Sequence, residues 1–377
     1  MKQLAIAAMI MCTMSSLANA QSSVTTYGVL DIGPVYRTNV NAAGNHTFSL
    51  GDSSTIGDAG NGALSGSRIG FKGVEDLGDG SSAFFQLENG FTLNSGAIAQ
   101  QGQLFGRQAF VGLQNQDWGK ISLGRQYGLG TNLLFDHDPL GWGNFTANEW
   151  EAYLMGVRFD NSVRYGKAFG AFGLDIQYSF GGQAGDTSIG KTAGADLTYK
   201  ADGLKLAGFV QQSTDANSRD ATSAGIDFNY TIGANTIIAN YLNASFDAGF
   251  SKAASNSGLA LANTSFIGNG SNTKKRTDHL FVIGDRYGFT PATALTIGYM
   301  LDNITNASSA GDGRLSTTYV LLDHYLSKRT DVYAEIDYST ASGQANVTGA
   351  TLNGIGNGVP GTSSNSLGVA FGVRLRF

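Results

Sequence analysis

Alternation of apolar residues with small or polar ones is the feature that most limits how this chain can fold. It is cleanest over residues 367–377, where every second residue, from Leu367 to Phe377, is apolar. A period of two places successive side chains on opposite faces of a β-strand. One face of this segment is bulky and apolar, and the other carries Arg374 and Arg376. That division suits a strand with lipid on one side and water on the other.

The same alternation recurs along the chain, and no apolar stripe of helical period competes with it. A soluble β-sandwich would show it equally well in a single strand, so the number of segments matters. Sixteen segments are predicted as strands: 24–39, 64–75, 81–93, 104–114, 119–127, 160–168, 172–181, 191–200, 204–213, 221–231, 236–246, 277–287, 293–303, 315–326, 330–340 and 366–377. An even number of antiparallel strands can close with every edge paired, as a bilayer demands. The predicted fold is all-β, a 16-stranded antiparallel transmembrane β-barrel.

The connections between the predicted strands alternate in length, which supports the barrel independently. Short ones, such as residues 201–203 and 233–235, are typical of tight turns. The long ones are polar and cover roughly residues 40–63, 94–103, 128–159, 182–190, 214–220, 247–276, 304–314 and 341–365. Short turns at one rim and long loops at the other are typical of outer-membrane barrels.

Composition excludes several other classes of protein. Only 14% of the residues are charged, against about 25% in soluble domains, and 42% are hydrophobic, which argues against disorder. Beyond the N-terminus there is no run of about 18 apolar residues, so a helical membrane protein is excluded. A net charge of -5 offers no broad basic surface, and nucleic acid is not expected as a partner. The 53 glycines, including Gly70 and Gly372 within strands, suit close packing in a curved sheet.

The first twenty residues have the organisation of a cleaved signal peptide. Lys2 precedes a short apolar run, and residues 18–20 (Ala-Asn-Ala) supply the small side chains that signal peptidase accepts. We expect residues 1–20 to be removed and residues 21–377 to form the barrel domain. A buried N-terminal helix is the alternative. Because Cys12 lies in the leader and is the single cysteine, the mature chain has no disulfide.

Six motifs follow one another in order, and the chain then ends on an aromatic residue. The stretches are 23–31 (SVTTYGVLD), 66–78 (GSRIGFKGVEDLG), 84–91 (FFQLENGF), 105–113 (FGRQAFVGL), 123–127 (LGRQY), 158–165 (RFDNSVRY) and Phe377. Together they resemble the Gram-negative porins that are common in beta-proteobacteria. The resemblance covers the whole mature chain and is most specific over residues 21–180. One motif would be a weak indication, whereas six in order are a strong one.

The resemblance implies an outer-membrane porin that lets ions and small hydrophilic solutes diffuse passively. It also implies a homotrimer and a long third loop folded into the lumen. A barrel of sixteen strands is wide enough for a water channel on its own, and the loop at residues 128–159 is too long for a simple hairpin. The expected partners are outer-membrane lipid, further copies of the chain, ions and solutes, and no cofactor is expected.

The resemblance further implies a constriction at which basic side chains on the barrel wall face acids on the inward loop. Arg68, Arg107 and Arg125 occupy the matching wall positions, and Lys72 shares the strand parity of Arg68. Arginine suits this wall because its guanidinium stays charged beside other charges. Glu88 is implied next to them, where it would offset their mutual repulsion. The alternative is that these side chains form a generic hydrated interior face.

Four acids of the long loop are candidates for the opposite side of the constriction: Asp136, Asp138, Glu149 and Glu151. Asp136 and Asp138 begin the descent of the loop and are favoured as its lining. The loop departs from the commonest patterns of the family, so which acids face water stays open, and the alternative is that they cap turns. Because the basic groups lie on rigid strands, the charge pattern favours anions weakly.

Other functions are less well supported by the sequence. The four histidines, among them His279 and His324, show neither a Ser-His-acid arrangement nor the spacing of metal ligands, so neither an enzyme nor a metal site is expected. A substrate-specific channel would need an aromatic track along the interior, but the aromatic residues are expected mainly on the outer face. Those at strand ends, Tyr27 among them, would form interfacial girdles. Adhesion through the polar loops could coexist with a channel.

Overall fold

A computed structural model describes residues 23–40, 43–52, 63–137, 148–182, 184–251, 272–347 and 364–377. The strands are β1 (Ser23–Arg37), β2 (Thr47–Gly51), β3 (Arg68–Gly78), β4 (Ser81–Gly90), β5 (Gln108–Asn115), β6 (Gly119–Tyr127), β7 (Arg158–Phe169), β8 (Phe172–Ser179), β9 (Thr192–Ala201), β10 (Leu204–Thr214), β11 (Asp220–Ile232), β12 (Asn235–Phe246), β13 (Arg276–Thr290), β14 (Thr293–Ser308), β15 (Gly311–Tyr325), β16 (Thr330–Gly343) and β17 (Asn365–Arg376). The helices are α1 (Leu129–His137), α2 (Asn148–Met155) and α3 (Gln344–Val347), with a 3₁₀ turn at Gln100–Gly102. No helix in these ranges is long and apolar enough to cross a membrane.

Strand β1 closes the sheet into a barrel. One edge of β1 pairs antiparallel with β17, so that Val29 lies opposite Arg376. The other edge pairs with β3 over residues 23–29 and with β2 over residues 33–37. Because β2 and β3 share one position in the ring, seventeen strands make a closed barrel of sixteen positions, and the predicted fold is confirmed.

Several predicted boundaries were wrong; residues 104–107, for example, do not open a strand, because β5 begins at Gln108. Residues 64–67 do not open a strand: β3 begins at Arg68, and the short strand β2 occupies part of the predicted first loop. The predicted loop at residues 304–314 is mostly strand, since β14 reaches Ser308 and β15 starts at Gly311. Ile304 and Leu315 face the interior beside α3, although the intervening sequence is polar.

The two faces of the wall have opposite chemistry. In β12, Ile238 and every second residue up to Phe246 are buried, and the residues between them are more exposed. Large apolar side chains are exposed on the outer face, including Val111, Leu113, Ile121, Leu123, Ile226, Ile283, Ile297, Ile336 and Phe371. Charged side chains such as Asp331 are buried on the inner face. A barrel with lipid outside requires this reversal of the pattern found in soluble proteins.

Aromatic rings lie over glycines of neighbouring strands. A Cβ added to Gly70 would meet the Tyr27 ring at 2.5 Å, and one added to Gly372 would meet the Tyr333 ring at 2.2 Å. Each ring fills the gap that the missing side chain leaves, which accommodates the curvature of a closed sheet. Only glycine fits beneath these rings.

The two helices of the connection between β6 and β7 pack against the interior of the barrel. Helix α1 contacts β8 to β11, and α2 contacts β11 and β12. Buried apolar side chains from both helices and from the wall form one cluster, which includes Leu134, Leu154, Met155, Phe209, Leu242 and Met300. The approach is close at Gly130, where an added Cβ would lie 2.4 Å from Met155 Sδ. The hydrophobic core therefore lies between this segment and one side of the wall.

Candidate functional site

Glu88 on β4 is the centre of a buried polar cluster on the opposite side of the interior. Arg107 Nε donates to Glu88 Oε1 at 2.7 Å, and Arg68 Nε lies 4.0 Å from Glu88 Oε2. The hydroxyl of Tyr27 donates to the same Oε2 at 2.8 Å. With only 4% of its surface exposed, Glu88 is desolvated, and its charge offsets the repulsion between the two guanidinium groups. The structure thus brings three of the predicted wall residues together.

The hydroxyl of Tyr127 links two guanidinium groups. It accepts from Arg107 Nη2 at 2.8 Å and from Arg158 Nη2 at 3.1 Å. The Arg158 guanidinium also lies over the Tyr127 ring, 4.7 Å from its centroid, and only 2% of Arg158 is exposed. Stacking on an aromatic face stabilises a cation that has lost much of its water. Arg158 is therefore a member of the basic wall that the sequence reasoning did not single out.

Arg125, a predicted member of the wall, is held by different acceptors. Its Nε donates to the carbonyl of Gly106 at 2.8 Å, and its Nη1 donates to Asp160 Oδ1 at 2.6 Å. A β-bulge precedes this contact: the register between β6 and β7 shifts between Gly124 and Gln126, and Gly124 has φ of 132°. A bulge re-aims the side chains that follow it, so strand parity does not carry through to Arg125.

Lys72 and Tyr27 extend the cluster along the interior. The ammonium of Lys72 lies 5.4 Å from the centroid of the Tyr27 ring. Gln86 Nε2 donates to the Tyr27 hydroxyl at 2.7 Å. The expectation that Tyr27 belongs to an interfacial girdle was wrong, because its ring covers Gly70 and its hydroxyl is bound to Glu88 on the inner face.

Helix α1 faces this basic wall with a neutral side chain. A cavity of about 280 Å³ is lined by Arg68, Glu88, Gln108, Tyr127 and Asn132. Asn132 belongs to α1, and its side-chain oxygen accepts from the guanidinium of Arg164. A larger cavity of about 1060 Å³ adjoins the first one and shares three of its lining residues. The basic wall and α1 thus face each other across a narrow space that opens into a wider one.

The structure describes the side chain of only one of the four predicted loop acids. Asp138 lies outside the described residues. Asp136 and Glu149 lie in α1 and α2, whose backbone is described there but whose side chains at these positions are not. Glu151 is buried, with 4% of its surface exposed, because α2 packs against the wall. The role of the acids stays a prediction.

Trp150 ties α2 to the far wall. Its indole Nε1 donates to Asp302 Oδ2 on β14 at 2.7 Å. The Arg276 guanidinium lies 5.5 Å from the centroid of the indole ring and donates to both oxygens of Asp278, at 2.6 and 2.8 Å. Trp150 and Asp302 are both buried, so the hydrogen bond between them is costly to leave unmade. The hydrogen bond from Trp150 to Asp302 therefore fixes α2 to the wall.

The interior also carries some aromatic rings, although many others, such as Phe281, Tyr299 and Phe371, are exposed on the outer face. The rings of Phe84 and Phe110 meet edge to face at 6.2 Å, and Lys120 Nζ lies 4.3 Å from the centroid of Phe84. Phe110 and Lys120 line the larger cavity. In the described part of the chain, no three His, Cys, Asp or Glu side chains are grouped so as to hold a metal ion.

Comparison with known proteins gives consistent matches. The sequence profile of a family described as Gram-negative porin matches residues 5–344. An outer membrane porin protein of Bordetella pertussis is 38% identical over 186 residues, which are 48% of this chain and 48% of that protein. The chain thus spans about half the length of this relative.

Two solved structures share the fold. An anion-selective porin from Comamonas acidovorans has a TM-score of 0.74 at 21% identity, with 95% of this chain and 100% of that chain covered. An outer membrane protein of Vibrio cholerae, solved in a trimer form, has a TM-score of 0.63 at 16% identity, with coverage of 94% and 99%.

Proposed function

Because the chain belongs to the Gram-negative porin family, we propose that it forms a water-filled outer-membrane channel for passive diffusion of ions and small hydrophilic solutes. The observation that carries the proposal is the reversed wall, with apolar side chains outside and charged ones inside. A closed ring of sixteen strands leaves room for water. The adjoining cavities of about 280 and about 1060 Å³ fit a narrow passage and a wider vestibule.

The constriction of the proposed channel lies between the basic wall and α1, and its charge favours anions. Arg68, Arg107 and Arg158 bring three positive charges there, against one negative charge on Glu88. At physiological salt the Debye length is about 8 Å, so charges at the narrowest point outweigh the net charge of -5 spread over the whole chain. The Comamonas protein that shares the fold is described as anion-selective, which agrees with this proposal.

A homotrimer and a cleaved leader belong to the same proposal. The predicted leader, residues 1–20, lies outside the described residues. The wall is low on one side, where β5 has 8 residues, and high on the other, where β14 has 16. Val111 and Leu123 on the low side are exposed, and further copies of the chain would cover such side chains.

The test is reconstitution of the purified protein in a planar bilayer. We expect stepwise conductance, with insertions that add three equal steps if the trimer is the unit, and a reversal potential in a salt gradient that reports preference for anions. Protein denatured before addition is the control. Absence of steps from folded protein would overturn the channel function. Mass spectrometry of the mature chain tests cleavage after Ala20.

A substrate-specific channel is a second candidate, which Phe84, Phe110 and Lys120 favour. The Phe110 ring and the Lys120 ammonium both line the larger cavity and could together bind a solute that carries a flat apolar part and a carboxylate. Benzoate and acetate separate the two functions. A general channel passes both with similar effects on the current, whereas a specific one shows current block by benzoate that weakens in Lys120→Gln.

A further inference from the structure

The five residues before β3 lie on the inner face of the barrel. Leu64 is buried against Tyr319, Leu321 and Tyr333 of β15 and β16. Residues 63–67 therefore cover part of the wall that faces neither lipid nor the α1 segment. Like the segment that carries α1 and α2, they are connecting chain packed inside the barrel.

A buried set of polar groups holds this segment. Asp31 on β1 accepts from the Ser65 backbone N–H through Oδ2 at 2.8 Å and from the Tyr333 hydroxyl through Oδ1 at 2.8 Å. The Tyr333 hydroxyl in turn accepts from the Leu64 N–H at 3.2 Å. Arg374 Nη1 donates to Ser65 Oγ at 2.9 Å. Buried polar groups of this kind are costly to leave without partners, so together they hold one arrangement.

Ser67 extends the same set towards β3. Its hydroxyl accepts from the Asp31 N–H at 3.1 Å and donates to the Asp31 carbonyl at 3.2 Å. Its own carbonyl accepts from the N–H of Phe91 at 3.1 Å. We name Asp31, Ser65, Ser67, Tyr333 and Arg374 the Asp31 latch. The latch ends one residue before Arg68.

The latch is coupled to the constriction through Gly66. Arg68 Nη1 donates to the Gly66 carbonyl at 3.2 Å, between the two latched serines. Arg68 is more exposed than its neighbours and lies 4.0 Å from Glu88, a longer separation than the 2.7 Å between Arg107 and Glu88. The carbonyl of Gly66 is thus a main constraint on the direction of its guanidinium.

We propose that the Asp31 latch fixes Arg68 in the constriction, so that Tyr333 and Asp31 are positioning residues for ion selectivity although neither belongs to the basic wall. The inference rests on the proposed channel function and deepens it. Loosening the latch lets Gly66 move and Arg68 swing, and the positive charge at the narrowest point becomes less localised.

Tyr333→Phe is the informative variant, because it removes two latch hydrogen bonds without changing any charge. Tyr338→Phe is its matched control, since Tyr338 lies on the same strand but on the exposed outer face. We expect the reversal potential of Tyr333→Phe to shift towards cation preference, by a smaller amount than in Arg68→Gln. The current through the open channel should also be noisier than in the parent protein. Tyr338→Phe should match the parent protein.

A double-mutant cycle separates positioning from a general loss of packing. If Tyr333 acts through Arg68, then Tyr333→Phe adds no shift in the Arg68→Gln background. An unchanged reversal potential in Tyr333→Phe, or a shift that adds in full to that of Arg68→Gln, would overturn the latch. If Tyr333→Phe does not fold, as judged by gel mobility before and after heating, Ser67→Ala takes its place in the same cycle.

The outcomes distinguish this inference from the proposed function. A parent protein without conductance steps refutes the channel itself. A conducting parent whose selectivity shifts in Arg68→Gln but not in Tyr333→Phe refutes the latch alone.

Discussion

At the scale of single residues, the basic wall is a set of charges that hold one another in place. Glu88 binds Arg107, and the Tyr127 hydroxyl accepts from Arg107 and Arg158 together. Arginine tolerates such crowding because it keeps its proton. The charge at the proposed constriction is therefore fixed in position and independent of pH over the physiological range.

Arg158 and Arg125 give a direct comparison of two arginines that are close in the fold. We expect Arg158→Gln to shift the reversal potential towards cations more than Arg125→Gln, because Arg125 is compensated by Asp160 at 2.6 Å. A unit charge about 8 Å away in water contributes roughly 0.5 kcal/mol, about a twofold change in anion occupancy. Reversal potentials of the two variants in the same salt gradient provide the measurement, and equal shifts would contradict this assignment.

Motif resemblance identified Arg68, Arg107 and Glu88, whose side chains the structure brings together. It did not identify Arg158, because residues 128–159 were predicted as a loop, whereas β7 begins at Arg158. Local irregularities lie close to this strand start: Gly124 has φ of 132° and Asn161 has φ of 52°. Such conformations interrupt the period of two on which strand parity depends.

At the scale of elements, one hydrogen bond holds α2 across the interior. Trp150→Phe removes the donor to Asp302 but keeps the buried ring, so we expect a noisier open channel and a lower temperature of unfolding. A hydrogen bond of this kind contributes about 0.5–1.5 kcal/mol. Trp118→Phe, in the exposed turn between β5 and β6, is the control. Identical noise in both variants would argue against this anchor.

The packing of the Tyr333 ring over Gly372 of β17 leads to a second prediction at this scale. Gly372→Ala places a methyl group 2.2 Å from the Tyr333 ring, and overpacking of this kind costs about 1–3 kcal/mol. Gly208→Ala is the matched control within a strand, because its new Cβ would meet one atom at 3.7 Å. The temperature at which each variant loses its compact gel mobility measures the difference. A Gly372→Ala barrel as stable as the control would contradict the packing described.

Most strands could be predicted because the barrel places lipid and water on opposite faces and so imposes alternation on the sequence. The extension of β14 and β15 into the predicted loop at residues 304–314 could not be predicted in this way. Its outward residues lie beyond the apolar band and are polar, so the segment around Asn303 and Arg314 has the composition of a loop. The inward packing of residues 63–67 was also missed, because its contacts are with strands distant in sequence.

At the scale of the whole molecule, the two sides of the interior differ in how their charges are neutralised. Acids on β16 are bound by arginines of β1 and β17, as Asp337 is by Arg37 at 2.8 Å and Asp331 by Arg374 at 2.9 Å. The opposite wall has an excess of guanidinium groups around Glu88. The field across the interior therefore originates mainly on one side.

This asymmetry predicts how selectivity depends on salt. Raising the ionic strength from about 0.1 M to about 1 M shortens the Debye length from about 10 Å to about 3 Å. We expect the preference for anions to weaken over that range while conductance continues to rise. Reversal potentials at a constant concentration ratio test this, and a preference that does not change with salt would indicate selection by size.

The pairing of β1 with β17 determines when the barrel can be completed. Gly28 and Phe377 lie near the two ends of the described chain and exchange two backbone hydrogen bonds of 3.1 Å. Until β17 arrives, two long strand edges lack partners, and such edges promote aggregation. Closure of the barrel is therefore a late, cooperative step that removes both edges at once.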